Sequence, residues 1–188
     1  MMYKTHFNFG ILLSLLIVNM QYRSPLEYIL CILIAGIAAL IPDFDHKNSY
    51  ISNKVSPIWL IVLFVYVVIY FDIMSLLILI LWLVITYFSK HRTFSHSLLG
   101  LIIFILPFMG TELLYSVFIG YTSHLLSDML TVDGIPVFYP FNKIKIKLLK
   151  IKCNSPLERL LLIILFLINV ILIMNYLISF FNWFLFLI

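Results

Sequence analysis

Apolar runs separated by short polar breaks divide the chain into seven segments, at roughly 7–20, 26–41, 58–71, 73–88, 98–109, 113–126 and 160–188. Such runs predict helices that pass through a membrane. The expected fold is therefore all-α, a multi-pass transmembrane bundle in one domain over residues 1–188. Several segments fall short of the ~20 residues that cross hydrocarbon unaided. Thinning, snorkelling or partial insertion would make up the difference. Pro107 and Gly110 close the fifth segment early, and the overlong last one would tilt or run along the interface.

Threaded up and down, the seven segments return four polar clusters to one face. They are His6; Pro42, Asp43, Phe44, Asp45 and His46; the stretch from His91 to Ser97; and His124 with Asp128. Eleven of the twelve basic residues fall on the same face, and only Arg23 lies on the other. Basic residues gather on the cytoplasmic side, so the clusters are expected there.

Composition agrees with a membrane chain. Hydrophobic residues make up 64% and charged ones 11%, against roughly a quarter charged in a soluble domain. The first residues lack the ordered regions of a cleaved signal peptide, so the N-terminus is expected to be retained. Cys31 and Cys153 have no metal-binding or disulfide spacing. Low glycine and alanine content beside abundant Ile, Leu and Phe argues against close Gly-x-x-x-Gly helix contacts.

Each cluster admits a plain reading beside a chemical one. His124 and Asp128, four apart on a helix, share a face. They suit a shared metal, a carboxylate that orients the imidazole, or a helix-end hydrogen bond. Asp43 and Asp45 suit a cation site or a solvated turn after Pro42. In the stretch His91, Arg92, Thr93, Phe94, Ser95, His96, Ser97, either Thr93 or Ser95 is expected to cap the next helix. Arg92 suits a phosphate or carboxylate, and the plain alternative is a basic loop at headgroups. Glu158 lies in Ser155-Pro156-Leu157-Glu158, which reads as a capping box or as a ligand or general base. Lys143, Lys145, Lys147, Lys150 and Lys152 suit anionic headgroups of the lipid bilayer, and nucleic acid is not expected. Asp72 reads as a hairpin residue and Asp133-Gly134 as a turn.

His6, Pro-Asp-Phe-Asp-His at 42–46, His-Arg-Thr-Phe-Ser-His-Ser at 91–97 and the run from Gly120 to Thr131 together resemble the YdjM-like family. The resemblance reaches from His6 to about Glu158, and the loop prolines Pro136 and Pro140 with Gly134 fit it. It implies a membrane-bound, metal-dependent hydrolase of a prokaryotic inner membrane. Carried over by position, it implies a metal site of His6, Asp43, Asp45, His46, His91, His96, His124 and Asp128. The family's Gly-Ser-x-x-Glu pattern falls on Asn154 to Glu158, with Asn in place of Gly. The run from Gly120 to Asp128 is also similar to zinc-dependent phospholipase C and P1-type nucleases.

The expected function is hydrolysis of a phosphoester, lipid-linked for preference, by a divalent metal ion at the cytoplasmic face. Zinc suits the donors first, with manganese or iron as alternatives. Arg92, Ser95 and Glu158 are the expected catalytic residues beside the metal. A non-catalytic, metal-stabilised scaffold or regulatory protein is the alternative. A transporter would place ionisable groups deep within spans, and this chain has almost none there.

Overall fold

The second apolar run begins as a helix at Ser24, whose hydroxyl accepts the Glu27 N–H at 3.2 Å while Pro25 fills the first turn. The computed structural model describes residues 1–17, 24–45 and 72–186. The helices are α1 (Tyr3–Ile17), α2 (Pro25–Ala38), α3 (Ile73–Phe88), α4 (Leu98–Ile105), α5 (Leu113–Met129) and α6 (Pro156–Phe186). Two 3-10 turns, Ile41–Asp45 and Leu106–Phe108, follow α2 and α4. Among the described residues there are no strands, and two isolated bridges, Thr131 with Ile151 and Ile135 with Ile146, brace the loop between α5 and α6.

Of the seven expected spans, the third lies outside the described residues, and only the last forms a helix long and apolar enough to cross a membrane. That stretch, Pro156–Asn182, has 27 residues and a mean hydropathy of 2.8, and few of its side chains are buried by the protein. The helices from α1 to α5 have 15, 14, 16, 8 and 17 residues. At about 1.5 Å per residue none of these reaches the ~30 Å of a hydrocarbon core. Pro107 ends α4 early by turning the chain into a 3-10 step.

The helix caps differ from expectation. Ser97, not Thr93 or Ser95, caps α4, with its Oγ accepting the Gly100 N–H at 3.1 Å. Thr93 is spent on the Lys90 carbonyl and Ser95 on His96. Asp72 caps α3 through Ser75 N–H at 2.7 Å, a more definite role than a hairpin residue.

Close helix contacts are central to the packing. The carbonyl of Ala35 on α2 lies 2.7 Å from where a Cβ on Gly10 of α1 would stand. It lies 2.2 Å from where one on Gly120 of α5 would stand. Two isolated glycines on different helices thus let α1 and α5 close on the same point of α2. Neither belongs to a Gly-x-x-x-Gly pair, a motif that the low glycine content argued against.

Two apolar clusters hold this arrangement. Trp82, Phe94, Leu101, Phe104, Tyr121 and Leu125 join α3, α4 and α5. Ile11, Leu15, Tyr28, Ile32, Ile119 and Tyr176 join α1, α2, α5 and α6. Asn169 of α6 donates to the Asn8 carbonyl at 3.0 Å, which fixes α6 against α1 inside an otherwise apolar seam.

Candidate metal centre

Five ionisable side chains reach the centre from four separate parts of the chain. His6 comes from the first turns of α1, Asp43 from the turn after α2, and His96 from the loop before α4. His124 and Asp128 come from adjacent turns of α5. The loop that carries His96 is held in place by Tyr121, whose hydroxyl donates to the Ser95 carbonyl at 2.6 Å. Trp82 fixes the start of α4 by donating to the Gly100 carbonyl at 2.9 Å.

Asp43 and Asp128 lie among three imidazoles. His6 Nε2 is 3.4 Å from Asp128 Oδ1 and 3.9 Å from Asp43 Oδ2. His96 Nε2 is 3.4 Å from Asp43 Oδ1 and 3.5 Å from Asp128 Oδ2. His124 Nε2 is 3.7 Å from Asp43 Oδ1 and 3.9 Å from Asp128 Oδ2. His124 Nε2 and His96 Nε2 are 3.0 Å apart. The N–O separations are long for hydrogen bonds. They approach the edge of a tetrahedron whose donors stand at zinc distance from its centre, about 3.3 Å.

The outer nitrogens are set by the surrounding chain. His124 Nδ1 lies 2.7 Å from the Ala39 carbonyl, which can only accept, so Nδ1 carries the proton and Nε2 is a bare donor to the pocket. Ser127 Oγ gives its proton to the His124 carbonyl at 2.9 Å, so it accepts from His6 Nδ1 at 2.6 Å. His6 Nε2 is then bare too. It is buried without a hydrogen-bond partner, as is Asp128 Oδ2. Ser95 Oγ holds His96 Nδ1 at 2.8 Å. The close approach of His96 Nε2 to His124 Nε2 requires a proton or a cation to separate their lone pairs.

Three overlapping sets of donors have the geometry to hold a metal ion: His6, Asp43 and His124; Asp43, His91 and His96; and His96, His124 and Asp128. Orphaned nitrogen and oxygen donors of this kind fit a divalent cation. The imidazoles of His6, His96 and His124 and the Asp128 carboxylate are buried, while the Asp43 side chain is 23% exposed and forms the opening. Burial opposes ionisation of Asp43, but the imidazoles of His124, His96 and His6 outweigh it and hold its carboxyl well below the usual range.

Arg92 lies on the rim. Its Nε is 3.5 Å from Asp128 Oδ2, and its Nη1 donates to Asp133 Oδ2 at 2.6 Å. Burial works against its charge, but Asp128 and Asp133 outweigh that and raise its pKa. The Met1 amine donates to Asp128 Oδ1 at 2.9 Å.

Two of the expected ligands are not described in full. His46 lies outside the described residues. Asp45 ends the turn Ile41–Asp45, and its side chain also lies outside them. Glu158 is buried, with Oε1 accepting the Met2 N–H at 2.7 Å and Oε2 the Asn154 N–H at 2.5 Å. Its own N–H reaches Ser155 Oγ at 3.3 Å, which is the capping arrangement. Glu158 is therefore a cap and a tether for the N-terminus, with no place in the three donor sets. Ser95 Oγ lies against His96 Nδ1, where it can orient that imidazole. Sequence reading missed Ser127, the Ala39 carbonyl and Asp133. Only Asp133, an acid beside a glycine turn, left any trace in the sequence.

The profile of the family described as YdjM inner membrane protein matches residues 1–188. Inner membrane protein YdjM of Escherichia coli (strain K12) is 25% identical over 144 residues, which cover 70% of this chain and 61% of that protein. The Shigella flexneri protein of the same name matches equally. YvsG of Bacillus subtilis (strain 168) is 31% identical over 134 residues, 68% of each chain. The alignment thus spans about three fifths of the length of the two YdjM proteins. No solved structure matches.

Proposed function

This chain belongs to the YdjM inner membrane protein family, and we propose that it is a membrane-bound, metal-dependent hydrolase of phosphoesters. One observation carries the reading: bare imidazole nitrogens and two carboxylates from four separate parts of the chain face one another within ligand spacing. His6, His96, His124, Asp43 and Asp128 would hold the metal, with His91 at the margin. Asp43, His96 and His124 each belong to two of the donor sets, and of these Asp43, a carboxylate with two oxygens, is the one that would suit a bridge between two ions. A bound divalent cation supplies Lewis acidity toward the ester and lowers the pKa of water. Zinc suits the donor types first, and manganese or iron would also be accepted.

The chain's own residues do the rest. Ser127, Ser95 and the Ala39 carbonyl orient the imidazoles. Arg92 keeps a guanidinium beside the acids, where a phosphate oxygen can replace Asp133 as its partner. The opening at Asp43 gives a substrate its approach. With the basic residues gathered on one threaded face, we place that opening at the cytoplasmic leaflet and favour a lipid-linked phosphoester.

The test is bound metal and turnover of a phosphoester panel by purified protein in detergent. Wild-type protein is expected to retain a divalent metal and to hydrolyse at least one ester. His96→Ala and Asp128→Ala should each lower turnover by about 100-fold or more through loss of a ligand or its charge. Metal bound without turnover of any ester would favour the scaffold reading. Unchanged turnover in both variants would overturn the site.

A further inference from the structure

From Gly134 to Leu157 the chain has five lysines and no acid. Lys143, Lys145, Lys147, Lys150 and Lys152 are all exposed, and they make up five of the twelve basic residues. Apolar side chains stand out between them. Phe141 is 90% exposed and Ile144 73%, with Leu148 and Leu149 also exposed. The segment is not a slack loop that could fold these side chains away. Ile146 N–H donates to the Ile135 carbonyl at 2.9 Å, Leu148 N–H to Met129 at 2.7 Å, and Ile151 N–H to Leu130 at 3.1 Å. A braced backbone therefore displays phenyl and aliphatic groups beside ammonium groups. A few residues after Lys152, Pro156 begins the membrane-length helix α6. The segment thus adjoins the place where the chain passes into hydrocarbon.

We propose that residues 138–152 form a docking surface for the headgroup layer of an anionic bilayer, with lysines on lipid phosphates and Phe141, Ile144, Leu148 and Leu149 in the acyl boundary. Charge complementarity and continuity with α6 choose this partner. A nucleic acid would use the lysines but leave the interleaved apolar side chains in water. The Leu148 bond reaches the end of α5, the helix that carries His124 and Asp128. Lipids gathered on this surface would lie next to the metal centre. The proposal goes beyond the hydrolase reading and stands without it.

Phe141→Trp provides the reporter, in full-length protein reconstituted into nanodiscs of mixed phosphatidylcholine and phosphatidylglycerol. Subtracting the signal of the unsubstituted protein removes the contribution of the other tryptophans. Bromine-labelled phosphatidylglycerol is expected to quench the reporter about twofold or more better than bromine-labelled phosphatidylcholine. Replacing the five lysines by Gln should bring the two lipids level, and replacing them by Arg should keep the preference. Equal quenching by both lipids with the lysines present would overturn the proposal. So would no quenching by either, or a preference lost equally in the Arg variant. Lysine-dependent binding of duplex DNA to protein in phosphatidylcholine nanodiscs, with no preference for phosphatidylglycerol, would overturn it in favour of nucleic acid.

Discussion

Ser127 uses one hydroxyl twice, accepting from the His6 imidazole and donating to the backbone carbonyl of His124. Removing the hydroxyl frees the His6 ring to rotate and to change tautomer. Ser127→Ala is expected to weaken metal retention about 10- to 100-fold, read by competition with a chromophoric chelator. An unchanged affinity would show that His6 needs no such support. The imidazoles and acids themselves were conspicuous in the sequence because ionisable groups are scarce in so apolar a chain. The groups that orient them were not, since a backbone carbonyl has no sequence signature and serine is common. Asp133 was hidden for another reason: its partner, Arg92, lies 41 residues away.

At the next scale, α2 is gripped from two sides at Ala35. A methyl group on Gly120 would stand 2.2 Å from the Ala35 carbonyl and 2.7 Å from Ala38 Cβ, so α5 would have to back away. Gly120→Ala is expected to cost about 1–3 kcal/mol of stability. Because His124 lies one turn along, it should also loosen the metal. Thermal unfolding in detergent, with and without added zinc, checks both effects. The run at 73–88 became α3 residue for residue, since Asp72 caps one end and the polar Ser89 and Lys90 follow the other. Helix type was thus readable from the apolar runs. Spanning length was readable only in part. Pro107 marked the run at 98–109 as short, and the structure ends its α-helix at Ile105.

Across the whole molecule, the candidate metal centre brings together side chains of α1, the turn after α2, the loop before α4 and α5. A cation that binds only this folded arrangement stabilises it by mass action. Chelation should therefore lower the midpoint of thermal unfolding, and re-addition of the metal should restore it. Acidification should act in the same direction. Imidazoles that have taken up protons cannot bind a cation, and burial holds the His6 imidazole well below its ordinary pKa, so retention is expected to persist near neutral pH and to fall as pH drops from about 6 through 5. Metal content after gel filtration at stepped pH would record this, and retention that is flat over that window would speak against imidazole ligands. One feature gives the assembly a direction of opening. Asp43 is the acid that stands on a short 3-10 turn rather than on a helix, and it has solvent at its side, as does His91 at the margin. Three hydrogen-bonded rings form the floor and a single hinged carboxylate forms the latch. Guest exchange should then proceed by swinging that latch, at a rate set by the stiffness of the turn, while the helices stay packed.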